Sequence, residues 1–199
     1  MRANRRVPYR GFALVVAISL AAAGVLAGQA SAPDKRPTDA AAGFKEFTAR
    51  VQEYLKLHKA VEKELPPLKS KEELPEMIAA HQQALARKIR EARPNARPGD
   101  IFTHAAREAF RHEIRNVFRG PQAAAARTTL RQRDTDKEVR LRVNGIYPDA
   151  TAETTFPPTL LQKLPILPEE LDYRIVGREL VLVDRRANLV VDLLHEALR

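Results

Sequence analysis

The sequence predicts an α+β protein, mainly α, in which a three- to four-helix bundle precedes a small antiparallel β-sheet with a short helix. Two rhythms in the chain carry this. From Phe44 to about Arg131 apolar residues recur at spacings of three and four, the period of an amphipathic helix. Beyond Asp134-Thr135-Asp136 the period falls to two, as in a half-buried strand. A third observation is that none of the 199 residues is cysteine, so an apolar core and not a disulfide must hold the fold. The chain then divides into a signal peptide (1–30), a flexible linker (31–42), a helical bundle (43–133) and a β-rich region (134–199) packed on the bundle.

Residues 1–10 hold four arginines and no acid, and Gly11–Gly28 is an uncharged run of small and aliphatic residues. A basic head, an apolar middle and a small-residue exit near Ala30 are the marks of an export signal. The run is barely long enough to span a bilayer, so a membrane enters only through this segment, if it is kept as an anchor. Periplasmic or extracellular location follows. Without residues 1–30 the charge drops from +9 to +5, because 30 basic groups then face 25 acids. The remainder is uneven, with 12 basic and 4 acidic residues over Arg87–Arg133, against 9 and 12 over Asp134–Arg199.

The first helix carries a seam of Phe44, Phe47, Val51, Tyr54, His58, Val61 and Leu65, and Pro66-Pro67 ends it. A second starts with Pro75 in its first position and shows Leu74, Ile78, His81, Leu85, Ile89 and Ala92 on one side. The third is expected over Gly99–Gly120, capped by Asp100 and closed by a left-handed Gly120 before Pro121. Phe102, Ala106, Ala109, Phe110, Ile114 and Val117 form its apolar face, which Glu113 interrupts. A fourth, Ala-rich helix runs from Pro121 to about Arg131.

Folding these helices back about their loops sets His58 opposite His81, and His81 opposite Glu113. Two histidines and a carboxylate facing into a bundle form a ligand set for zinc, iron or manganese. The competing explanation is a buried polar layer that only fixes register. Arg107, Arg111, Arg115 and Arg119 recur on the opposite side of the third helix and suit a polyanion. An unidentified envelope protein or an anionic envelope polymer fits better than nucleic acid, because no aromatics are interleaved for base stacking and export removes the opportunity. The row His104, Glu108, His112 reads as solvated pairing, and the zinc-protease motif that His112-Glu113 begins is broken by Asn116.

In the C-terminal part Val139, Leu141 and Val143 alternate with Arg140 and Arg142 as a strand ended by Asn144-Gly145. A proline-braced segment with one short helical turn comes next, then a hairpin of Leu171–Val176 and Leu180–Val183 across Gly177-Arg178. Ala187–Leu198 fits a short helix, although Val190-Val191 also suits a strand. Asp192 and His195 stand three apart with no Ser or Cys nucleophile nearby, so surface pairing explains them. No Gly-rich phosphate loop, zinc knuckle or paired-carboxylate signature is present.

Three stretches resemble a recurring kind of short exported bacterial protein of uncharacterised function. They are Gly99-Asp100-Ile101-Phe102, Val143-Asn144 with Tyr147-Pro148, and Leu164-Pro165-Ile166-Leu167-Pro168 through Tyr173-Arg174, Gly177 and Asp184. No activity is assigned to proteins of that kind, so the resemblance carries over no catalytic residue. The expected role is a non-enzymatic binding or structural component of the periplasm or cell envelope. The alternatives are a metal-binding protein or metal-dependent enzyme using His58, His81 and Glu113, and a polyanion-binding module using the arginine row.

Overall fold

A computed structural model describes residues 37–68, 74–121, 123–131, 140–148 and 156–198. The signal segment of residues 1–30 and the strand position Val139 lie outside them. The elements are α1 (Pro37–Glu62), α2 (Pro75–Ala92), α3 (His104–Arg119), α4 (Ala123–Arg131), the single turn α5 (Pro158–Leu161), β1 (Leu171–Val176), β2 (Glu179–Asp184) and β3 (Leu189–Leu194). The strands form one antiparallel sheet in the order β1-β2-β3. The chain is α+β.

Helix α1 starts six residues earlier than the sequence suggests, so the end of the expected linker is helical. Its seam is nonetheless the one read from the spacing: Phe47, Val51, Tyr54, His58 and Val61 are all buried. What they meet differs from the expected bundle. The seam packs on α3 and the sheet, and helices and strands share one continuous core. At its centre Phe47, Phe102, Phe110 and Tyr173 stack and cross at centroid distances of 4.8–6.1 Å. Aromatic pairs at such spacings add to the free energy of simple area burial.

Gly43 sets how closely α1 and α3 approach. A Cβ there would lie 2.4 Å from the Ala105 carbonyl oxygen and 2.9 Å from Ala109 Cβ. The obstacle is helix backbone, which cannot step aside without parting the two helices.

Helix α2 begins at Pro75 as read, with Leu85, Ala86 and Ile89 buried in its second half. Leu74, Met77 and Ile78 at its start are exposed, so only its C-terminal part joins the core. The cap of helix α3 comes three residues later than expected. Thr103 and not Asp100 is its cap, accepting a hydrogen bond from the Ala106 N–H, and Gly120 closes it in extended and not left-handed backbone. The Asp100 carboxylate instead accepts from the Arg97 N–H in the preceding loop.

The β1–β2 hairpin turns on Gly177-Arg178 with Gly177 at φ 58°, the type II′ pattern. The expected C-terminal helix is a strand instead. Every residue of β3 is buried, because the sheet is covered on both faces. One face carries the main core. The other carries Val181, Val183, Val190 and Leu193 beneath Tyr147, with Leu141 and Val143 alongside. A strand buried on both faces has no polar alternation to show in sequence. The strand expected over Val139–Val143 is displaced too. Pairing with β3 occurs instead at Asn144–Tyr147, through Asn144 N–H to Val190 O (2.8 Å), Val190 N–H to Gly145 O (2.8 Å) and an isolated bridge from Ile146 to Leu189.

The register of β2 and β3 skips Val191, so Leu182 pairs with Asp192 and Val183 with Val190. This bulge turns Asp192 onto the face of Leu180 and Leu182, toward the helices.

Alanine usually stabilises a helix by about 1 kcal/mol over glycine, but at position 43 the backbone clash dominates. Gly43→Ala should lower stability by about 2 kcal/mol, measured by urea unfolding.

Candidate functional site

The residues that carry chemistry in the sequence are placed by three contacts. The first is Asp192, with 0% of its surface exposed. Its Oδ1 accepts from the N–H groups of Gly99 (2.9 Å) and Leu193 (2.8 Å), and its Oδ2 from those of Ile101 and Phe102 (both 2.7 Å). Gly99 sits at φ 98°, a conformation that glycine adopts without strain, and so aims its amide at the carboxylate. Burial pushes the Asp192 pKa up, and the four N–H groups act against that rise. A carboxylate ringed by donors alone is satisfied as the ionised form. Asp192 is thus a clamp on residues 99–102 and not a partner of His195, whose Nδ1 lies 2.7 Å from Glu179.

The second contact joins α1 to β2. His58 Nδ1 donates to Asp184 Oδ2 (2.6 Å) and the Tyr54 hydroxyl donates to the same oxygen (2.7 Å). Asp184 Oδ1 accepts from the N–H groups of Arg186 and Ala187 (both 2.9 Å), which fixes the β2–β3 turn. His58 and Asp184 are both fully buried. Burial disfavours the charged ring. The hydrogen bond and charge of Asp184, with Glu62 and Glu170 beyond, outweigh that and raise the His58 pKa above its ordinary value. Burial and then Asp184 hold the Tyr54 pKa well above the usual tyrosine range, so its hydroxyl stays a donor. Arg93 lies 5.2 Å from the centre of the Tyr54 ring.

A carboxylate–imidazole pair is also the orienting half of a nucleophile relay. Here His58 Nε2 looks toward Glu62 at 3.5 Å, without a hydrogen-bond partner among the described residues. The chain has no cysteine, and Ser19, Ser31 and Ser70 all lie outside the described residues. A ring of ion pairs covers the site: Arg186 to Glu62 (2.9 Å) and Glu169 (3.4 Å), and Lys59 to Glu170 (3.4 Å).

The expected metal set is not assembled. His58 turns to the sheet and not to α2. His81 is half-buried elsewhere on α2, and Glu113 lies 3.3 Å from the neighbouring His112. Among the described residues no three His, Cys, Asp or Glu side chains gather in a way that could hold a metal. The arginine row is partly committed to the fold. Arg111 donates to the His195 carbonyl (3.1 Å) and pairs with Glu108 (3.6 Å), Arg107 lies beside Gly99, Arg115 is half-buried and Arg119 is exposed.

The third feature was not visible from sequence spacing. An open groove of about 560 Å³ runs between the middle turns of α1 (residues 44–52) and residues 163–165. Its floor is Phe44, Ala49, Leu164 and Pro165, and Lys45 and Lys163 stand at its edge. Among the described residues no helix is long and apolar enough to cross a membrane.

Comparison with known proteins returned no match. No family model, no curated protein and no solved structure corresponds to this chain. The site must be read from its own chemistry, and the groove is the concave surface whose groups are open to a ligand.

Two outcomes are expected from the buried acids. Asp192→Asn puts an NH₂ group against backbone donors and should cost about 3 kcal/mol in urea unfolding. For His58 the raised folded-state pKa means that its stabilisation is complete below the unfolded value of about 6.5 and is lost as pH rises through the folded value. Unfolding free energy should therefore decline across the window from about pH 6.5 upward, and His58→Gln should flatten that slope.

Proposed function

We propose that this protein is an exported, non-enzymatic binding or structural component of the periplasm or cell envelope. The observation that carries the reading is the use to which its buried acids are put. Asp192 and Asp184 are saturated by contacts that close the fold, while the open, apolar surface lies apart from them along α1. Catalytic carboxylates and imidazoles need a face turned to a substrate, and these are turned inward. The basic, then apolar, N-terminal sequence supplies the address.

A C-terminally tagged full-length chain, expressed in a Gram-negative bacterium and fractionated, tests this. Recovery in the periplasmic or envelope fraction is expected, and Val16→Arg, which puts a charge into the apolar run, should leave the chain in the cytosol. Cytosolic recovery of the unmodified chain would overturn the reading.

A further inference from the structure

The groove along α1 continues into a surface whose two chemistries are kept apart, and the role assigned to that surface rests on the envelope reading. Ile166, the neighbour of Pro165, is 97% exposed, and Leu161 one turn earlier is 51% exposed. Ile166 is not at the tip of a loose loop. Leu164 before it is buried, Leu167 after it packs on the main core, and the Pro165 carbonyl accepts a hydrogen bond from the Tyr173 hydroxyl (3.2 Å). Prolines at 165 and 168 restrict the backbone between these anchors. The isoleucine is held out in water by a braced mount.

Around it the acid that comes nearest in sequence is already paired: Glu169, three residues on, lies 3.4 Å from Arg186. Lys163 is the single charged residue between Phe156 and Pro168. On α1, Lys45 and Lys56 project from one side at 100° per residue, about 16 Å apart along the axis. Thr48, Ala49 and Gln52 lie between them, and Glu53, at the border of that side, is already paired with Arg50 (3.1 Å). All three of Lys45, Lys56 and Lys163 are exposed, and no acidic side chain among the described residues pairs with them.

We propose that this face docks the protein on an anionic bilayer surface, with Lys45, Lys56 and Lys163 against headgroup phosphates and Ile166 in the acyl boundary. Apolar groups that enter the interface, flanked by lysines that meet its negative potential, are the elements of peripheral membrane binding. A bilayer suits the layout better than an acidic protein does. The cations reach from the groove edge at Lys45 and Lys163 out along α1 to Lys56, and the most exposed apolar side chain stands outside the groove and not within it. A planar field of negative charge asks for that spacing; a folded partner asks for a shaped pocket. From sequence alone the membrane had a part only through residues 11–28, so this is a second and separate contact.

The absence of cysteine permits a direct test. Leu161→Cys in the full chain takes a single environment-sensitive fluorophore and leaves Ile166 in place. The probe is read with phosphatidylcholine vesicles, with vesicles that also contain phosphatidylglycerol, and with polyglutamate. The probe sits on this face, so its shift reports whether the face itself meets lipid, whether or not the N-terminal apolar run also holds the chain on the vesicle. A blue shift is expected on the anionic vesicles alone. It should weaken roughly fivefold per lysine removed, disappear in Lys45→Glu/Lys163→Glu and in Ile166→Glu, and fade at about 0.5 M salt. Both variants alter exposed side chains, and an unchanged circular dichroism spectrum confirms that they fold. No shift on anionic vesicles that carry the protein, or an equal shift on neutral ones, overturns the proposal. A shift with polyglutamate but not with vesicles overturns it in favour of an acidic protein. None of these results depends on fractionation, so the envelope reading stands or falls separately.

Discussion

Between the sheet and the helical layer the N–H groups of Gly99, Ile101 and Phe102 point at the Asp192 carboxylate, and the rest of the structure depends on that contact. The bulge at Val191 is what turns the carboxylate to that side. The clamp fixes the loop before α3, which places Thr103 to cap the helix and Phe102 against Phe47 and Phe110. Without Asp192 three amides in or near the core would lose their acceptor. Arg93 and Asn144 tie the same loop down nearby: Arg93 donates to the Val191 carbonyl (3.3 Å), and the Asn144 amide donates to the Arg93 carbonyl (2.8 Å).

Asp184 does for α1 what Asp192 does for the α2–α3 loop. Each is a buried acid on the sheet that gathers donors from residues some 90–130 positions away. In a chain without disulfides such acids act as cross-links, and they specify a single register because an unpaired buried charge is costly. His58 at this joint has a raised pKa, which makes the α1–sheet contact sensitive to pH in a way that an apolar contact is not. This arrangement leaves the reactive side chains facing inward. Recognition falls to the outer side of α1 and the braced residues 163–166, where Lys45, Lys56, Lys163 and Ile166 face solvent.

What was legible in the sequence were features set by local chemistry. The α1 seam, Pro75 at the head of α2, the Ala-rich α4 and the Gly177 hairpin all follow from period or from backbone preference. Strand β3 was not legible, because burial on both faces erases alternation and leaves an apolar run that fits a helix equally well. The start of α3 was displaced because Asp100 and Thr103 are both acceptable caps, and the choice is made by Asp192 from 90 residues away. His58 stood out as a polar interruption of an apolar seam. Its partner lay 126 residues distant, and reflecting helices about their loops could not find it. The groove had no signature because two remote segments build it, although the exposed isoleucine between two prolines was there to be seen.

The most direct measurement of the Asp192 clamp is native-state hydrogen exchange at the amides of Gly99, Ile101 and Phe102. If the carboxylate holds the loop to the sheet, these three exchange only through global unfolding, with the same protection as the inner amides of β2. Exchange at the rate of neighbouring exposed loop amides would contradict it, and would mean that the fold closes without the Asp192 contact.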